Sequence, residues 1–380
     1  GEPVPGTFAQ EDELFGIGQA LADTGGGVFE LANAGTGGEI TGDGIDDALK
    51  EIDWMHRLSA KIGRPVSFAL LQFDSRPDLW RDLLKVCETT RVDGANVIAQ
   101  FAARPFGILA GHQTEANPFL NRPAYLEISM LPLAERVERL KDPAVRAKIL
   151  GRDRVEGGAG FGALLDVPGI LSKIFPLGDP PDYEPPPENS IAGIAEREGQ
   201  PAEEVLYEYM LRDEGRELLL LPFFNYSNGD LSPMREMIDH DCTVLSLGDG
   251  GAHCGLICDA SLTTFMLSHW VLGRERGPRV ALEHSVHRMT QHTAQLYGLL
   301  DRGVLAPGYK ADLNIIDPDR IELRRPEMVH DLPAGARRLV QRADGYCATI
   351  VSGQVVMQDG EPTAARPGKL LRGAQPAPAN

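Results

Sequence analysis

Between Glu11 and Phe101 helical and extended patterns alternate strictly, and glycine or proline marks the junctions. Helical spacing begins at Glu11 and ends in Gly25-Gly26-Gly27, and Val28–Ala32 is a short extended run. A second helix spans about Gly44–Ile62, with Gly63 as its C-terminal stop. Arg64-Pro65 leads into the strand Val66–Gln72, helix three covers Pro77–Thr90, and Ala95–Phe101 is the next strand. Strands separated by crossover helices pair in parallel, which places this chain in the α/β class. Ligands of such folds bind at the C-terminal ends of the strands, so that edge is where functional residues are sought.

The middle third is less regular. Leu131–Gly151 has helical apolar spacing along one charged helix, whereas Phe175–Ser190 (FPLGDPPDYEPPPENS) is proline-rich and acidic. An exposed excursion at about 168–190 is expected there. A helix at Pro201–Arg212, a very apolar strand at Glu217–Phe224 and a helix at Ser232–Asp239 lead to Thr243–His253, TVLSLGDGGAH. This stretch reads as a buried strand, Thr243–Leu247, running into a glycine-bounded turn that carries Asp249. Asp249 at a strand mouth is either a functional carboxylate or the cap of the next helix. Helices are expected at Ser261–Gly273 and Val280–Leu296. The tail then changes to short strands at Ala311–Ile316, Cys347–Val351 and Gln354–Gln358, a small β module whose strands should pair with one another. Residues 1–300 and 301–380 are the expected domains.

With 380 residues the chain is long enough for one large barrel or two smaller domains. Its net charge of −18 argues against nucleic acid or an anionic membrane surface as a partner. No apolar run is long enough to span a membrane and no signal-peptide pattern opens the sequence. Five scattered cysteines, including the Cys254/Cys258 pair without a second pair to complete a zinc site, fit a reducing cytoplasm. Residue 1 is Gly and Gly1–Thr7 reads as loop, so a piece of something longer is expected.

The run Arg288-Met289-Thr290, Tyr297-Gly298-Leu299, Asp301–Leu305, Pro307–Leu313 and Asp317-Pro318 resembles the C-terminal signature of the amidohydrolase superfamily. Val351–Val356 with Asp359-Gly360 is similar to the closing strands of its small β-sandwich, and Gly248-Asp249-Gly250 resembles the strand-eight aspartate of the D-aminoacylase branch, the N-acyl-D-amino-acid deacylases. Ala95–Arg104 and Leu219–Asp230 fall in the order expected of that branch. The resemblance implies a (β/α)8 TIM-type barrel, of which this chain holds the later strands, with a small appended β-sandwich. It implies a metal-dependent hydrolase of C–N bonds that deacylates N-acyl-D-amino acids. Zinc or another divalent metal would lower the pKa of a bound water, and Asp249 would touch the metal and move the water's proton to the leaving nitrogen. The expected partner is a small-molecule amide, with a homo-oligomer left open. A cyclic amide or ureido substrate, or a non-catalytic relative, are the alternatives.

The sequence departs from that pattern. No His-x-His occurs in it, and the metal-binding histidines of strands five and six are absent. The main ligands are therefore expected N-terminal to this chain, which alone should be inactive and poorly stable. Glu30 stands at ligand depth, as an oxygen ligand or as a partner for a barrel arginine. Gln72 is a substrate hydrogen-bond group or a structural one. Arg104 suits a substrate carboxylate, or anchors its loop. Asn225 and Tyr226 lie at a second barrel mouth, where they would shape the pocket, and His253 matches a histidine that often follows the aspartate. His112 is a further substrate-site candidate, while His240, His269, His284, His287 and His292 read as packing or surface residues.

Overall fold

The computed structural model describes residues 8–33, 44–151, 153–155, 165, 167–248, 250–251 and 253–379. Strands β1 (Phe29–Leu31), β2 (Val66–Ala69) and β3 (Val97–Phe101) follow helices α1 (Glu11–Thr24), α2 (Gly44–Ile62) and α3 (Leu79–Val92) in turn. Residues Val66–Phe68 of β2 and all of β3 are buried, and their apolar runs fit strands covered on both faces. The face of α2 that carries Ile52, Met55 and Leu58 packs into the same core, each side chain fully buried. Burial of one such side chain stabilises the fold by roughly 1.5–3 kcal/mol.

The chain then leaves this sheet for 141 residues, from Ala102 to Cys242, before adding its fourth strand. Within that span β4 (Phe106–Ala110), β5 (Phe175–Pro176) and β6 (Leu219–Phe224) form a separate antiparallel sheet in the order β4-β6-β5. Strand β7 (Thr243–Leu245) returns to pair in parallel with β3, giving the order β1-β2-β3-β7. The parallel α/β expectation is met by these four strands, which among the described residues form an open sheet and not a closed barrel. The run at 217–224 is a strand, but an antiparallel one outside the parallel sheet. An apolar run does not report the direction of its neighbour.

Three further expectations need correction. Leu131–Gly151 is two helices, Leu133–Leu140 and Pro143–Ile149, because Pro143 ends the first ladder and Asp142 caps the second through Ala144 N. The proline-rich stretch is not an exposed excursion: Leu177, Tyr183, Glu184 and Pro185 are buried in it. A short α-helix, Leu262–Phe265, followed by a π-helical stretch, Met266–Gly273, takes the place of one α-helix. His269 and Arg274, from this region, both bind the buried Glu184 carboxylate, Nε2 at 2.8 Å and Nη2 at 3.0 Å.

At the C-terminal end Tyr346–Val351 pairs antiparallel with both Leu313–Ile316 and Gln354–Gln358, as the alternating pattern predicts. With Glu361–Pro362 these make one four-stranded sheet. The hairpin of Glu327–Val329 and Arg338–Val340 is a separate ladder, as is the pair Glu322–Leu323 and Ala343–Asp344. Among the described residues no helix is long and apolar enough to cross a membrane.

Candidate active site

The parallel order of β1, β2, β3 and β7 turns four C-terminal strand ends toward one edge, and a cavity of about 790 Å3 opens there. Glu30 of β1, Ala69 of β2, Gln100 of β3 and Ser246 just beyond β7 line it. On the opposite side β4 and β6 supply an apolar wall that includes Phe106 and Phe224. Phe224 holds that wall by edge-to-face contacts with Phe73 (5.2 Å between centroids) and Phe106 (6.4 Å).

A polar chain crosses the sheet under the cavity. Ser246 Oγ donates to Gln100 Oε1 at 2.5 Å, and Gln100 Nε2 donates to Glu30 Oε1 at 2.8 Å and Ser67 Oγ at 2.9 Å. Ser67 Oγ passes its hydrogen to the Ile98 carbonyl at 3.0 Å. The Tyr297 hydroxyl also donates to Glu30. Burial and this neighbouring carboxylate push the Tyr297 phenol above its ordinary value, so it remains a donor. Glu30 thus faces a glutamine and a tyrosine, and among the described residues no arginine is paired with it.

Strand β7 stops at Leu245, two residues before the expected end, because Leu247 is left-handed with φ 63°. His253 is left-handed as well, φ 49°, and its carbonyl accepts from Leu256 N and Ile257 N at 2.9 Å each. Each such non-glycine conformation costs on the order of 1–3 kcal/mol, and strain of this kind gathers at functional sites. Leu247, Gly248 and His253 all line the cavity. Asp249 lies outside the described residues.

The other predicted site residues do not line this cavity. Gln72 N donates to Asn225 Oδ1 (2.9 Å), Gln72 Oε1 accepts from Ser227 N (3.2 Å), and Gln72 Nε2 donates to Asn228 Oδ1 and Pro77 O (3.2 Å each). Gln72 and Asn225 therefore form the frame behind the pocket, tying the end of β2 to the end of β6. Tyr226 donates to Pro185 O at 2.6 Å and accepts from Arg276 Nη1 at 3.0 Å, which fastens the same loop to the proline-rich stretch. Arg104 holds the anchoring position: its guanidinium is 1 % exposed, paired with Asp259 at 2.6 Å, bonded to Cys258 O and Ser261 Oγ, and stacked 4.1 Å above the Tyr183 ring. His112 lies in a different cavity. His240 faces Glu88, His284 faces Asp239, and His287 stacks on His292.

Sequence reasoning passed over Gln100, Ser246, Ser67 and Tyr297 as site residues. The signal that was available is a glutamine and serines inside otherwise apolar strands, since buried polar groups require partners. Glu30 and His253 are the carboxylate and imidazole among the described lining residues, and a catalytic zinc ordinarily takes three protein ligands. Among the described residues no group of three or more His, Cys, Asp or Glu side chains is placed to hold a metal ion, so these residues alone do not fit one.

An open parallel α/β sheet with a polar-floored, apolar-walled cavity at its C-terminal edge is the architecture of a small-molecule enzyme site. The chain belongs to the amidohydrolase family, whose profile matches residues 6–357. N-acyl-D-aspartate deacylase of Alcaligenes xylosoxydans xylosoxydans is 38% identical to it over 93 residues, 24% of this chain and 17% of that protein. A D-aminoacylase structure described as defining a novel subset of amidohydrolases aligns with 96% of this chain and 59% of its own, with 18% identity and a TM-score of 0.49. N-acyl-D-glutamate deacylase of Bordetella bronchiseptica, solved with zinc and a phosphonate inhibitor, aligns with 94% of this chain and 59% of its own, with 18% identity and a TM-score of 0.48. The chain thus spans well under two thirds of the length of these relatives.

Proposed function

We propose that the chain carries part of the active site of a hydrolase of C–N amide bonds, with N-acyl-D-amino acids as substrates. The reading rests on one observation: in a chain matched to the amidohydrolase family, the cavity opens at the C-terminal ends of four parallel strands and its lining includes Gly248, the residue before Asp249. The 93-residue likeness to a protein named N-acyl-D-aspartate deacylase supports the substrate class.

In this reading Asp249 takes a proton from the water that attacks the amide carbonyl and returns it to the nitrogen as the C–N bond breaks, releasing a carboxylic acid and an amino acid. Phe106 and Phe224 face the acyl chain, and the Gln100–Glu30 pair bounds the polar side of the pocket.

The test is hydrolysis of N-acetyl-D-aspartate, N-acetyl-D-glutamate and a five-membered cyclic ureide by the full-length enzyme and its Asp249→Asn variant. Turnover of the D-acyl substrates, lowered by roughly two to four orders of magnitude in the variant, is expected. Hydrolysis of the ureide alone would replace the substrate class, and near-wild-type turnover in Asp249→Asn would end the assignment of that residue.

A further inference from the structure

A second cavity, of about 660 Å3, lies beyond the opposite end of β4 and shares no lining residue with the first. Its centre is a buried polar knot. The Tyr125 hydroxyl accepts from Asn117 Nδ2 at 2.7 Å and Arg136 Nη1 at 3.3 Å, and donates to His112 Nδ1 at 2.9 Å. Asn117 Nδ2 also donates to that Nδ1 at 3.1 Å, and Arg136 Nη1 to the His112 carbonyl at 3.0 Å. With Nδ1 occupied as an acceptor, the imidazole hydrogen belongs on Nε2. Burial and the nearby Arg136 charge hold the His112 pKa down at about 3, so the ring is a neutral donor.

The charges around this knot are one-sided. Arg136 and Arg337 both line the cavity, and neither meets a carboxylate within ion-pair distance among the described residues. Both lower the Tyr125 pKa against the burial that raises it. His330 and Arg337 come from the turn of the hairpin Glu327–Val329/Arg338–Val340, which brings a second element to the site. Glu115 is the acidic side chain of the lining, and it is turned against Gly255, where an added Cβ would meet its Oε1 at 2.4 Å. Leu120, Leu131 and Leu133 supply hydrocarbon wall, beside the neutral polar side chains of Gln113, Thr114 and Ser129. Two guanidinium groups without carboxylate partners suit a forked anion, and the apolar walls suit an organic body attached to it.

We propose that this cavity binds an organic carboxylate with a short apolar body, its carboxylate between Arg136 and Arg337 beside the His112 imidazole, its hydrocarbon against Leu120, Leu131 and Leu133. The site is independent of the hydrolytic reading of the first cavity. Between the two runs the segment 253–257: His253 and Ile257 line the first cavity, Gly255 abuts Glu115, and Cys254 O accepts from Leu339 N at 2.7 Å, next to the strand that Arg337 precedes.

Calorimetric titration of the purified protein with hexanoate tests this, with 1-hexanol and inorganic phosphate in parallel. Hexanoate is expected to bind at one site, with hexanol and phosphate each at least tenfold weaker. Arg136→Met should abolish the binding and Arg337→Gln should weaken it at least tenfold. Arg337 makes no hydrogen bond to another described residue, so Arg337→Gln remains informative where Arg136→Met fails to fold. Gln100→Leu, in the first cavity, should leave hexanoate affinity unchanged. Absence of hexanoate binding, equal affinity for hexanol or phosphate, or an unaffected Arg337→Gln overturns the proposal. Loss of binding in a folded Gln100→Leu protein overturns it too, by moving the ligand to the first cavity.

Discussion

Asn225 and Gln72 exchange two hydrogen bonds, one of them through a side chain: Gln72 N donates to Asn225 Oδ1 at 2.9 Å, and Asn225 N donates back to Gln72 O at 3.1 Å. The pair reproduces a rung of a β-ladder between strands that belong to different sheets. Asn225 does so from a left-handed backbone, φ 65°, which asparagine tolerates better than most residues. Asn225→Gly keeps the backbone and loses the bond, and is expected to destabilise by about 1–2 kcal/mol in urea unfolding. Asn225→Leu loses the same bond and adds left-handed strain, and should cost about 3 kcal/mol or more. Equal effects from the two variants would show that backbone conformation plays no part.

Gln100 is the hub of the polar chain, and Gln100→Leu leaves Ser246, Ser67 and Glu30 each short of a partner. A loss of about 2–4 kcal/mol of stability is expected at neutral pH. Gln100→Glu sets a second carboxylate beside Glu30. The folded pair then holds a proton with a raised pKa, so relative to the parent this variant should be most stable below about pH 4 and lose stability as pH rises through the raised value. A flat pH profile of Gln100→Glu relative to the parent would count against the contact.

Glu184 predicts an acid limb. Although burial opposes ionisation, hydrogen bonds from His269, Arg274 and Leu231 N hold its pKa down at about 2 against an ordinary 4.5. Its folded value is depressed, so its contribution is complete above about pH 4.5 and disappears as pH falls toward 2. The linked stabilisation is on the order of 3 kcal/mol. Glu184→Gln should flatten unfolding free energy against pH between 5 and 2; an unchanged slope would rule out this source.

Arg104→Met removes one partner of a buried ion pair and leaves Asp259 without its guanidinium. A loss of about 3–5 kcal/mol is expected. Arg104→Lys keeps the charge without the planar fork and should recover only part of it. If any variant folds and hydrolyses substrate, an unchanged KM marks Arg104 as an anchor, whereas a KM raised tenfold or more at constant stability would return it to the substrate.

Local signals were strong where one element decides its own shape. Gly44–Ile62 and Ser232–Asp239 were read from sequence at their observed bounds, and the pairing of Tyr346–Gln358 with the strand before it followed from alternation and turn residues. The proline-rich stretch misled because proline content reports the lack of a regular ladder, not exposure; Glu184 sits there 2 % exposed because Arg274, ninety residues on, meets it. The antiparallel direction of β6 was likewise invisible in LLLPFF. At the site, the glycine-bounded turn after β7 stood out in the sequence. Gln100 did not, since its partners at Glu30 and Ser246 lie 70 and 146 residues away and no spacing rule connects them.

The segment 253–257 makes the two cavities neighbours across a partition a few residues thick. A methyl group added at Gly255 would meet the Glu115 carboxylate oxygen at 2.4 Å, so that side chain would have to move to admit it, while His253 and Ile257 occupy the other side. A partition this thin cannot thicken without displacing one of its neighbours. The chambers are therefore not free to change size independently: bulk added to the wall must be taken from one of them, and a shift of the wall that widens one narrows the other.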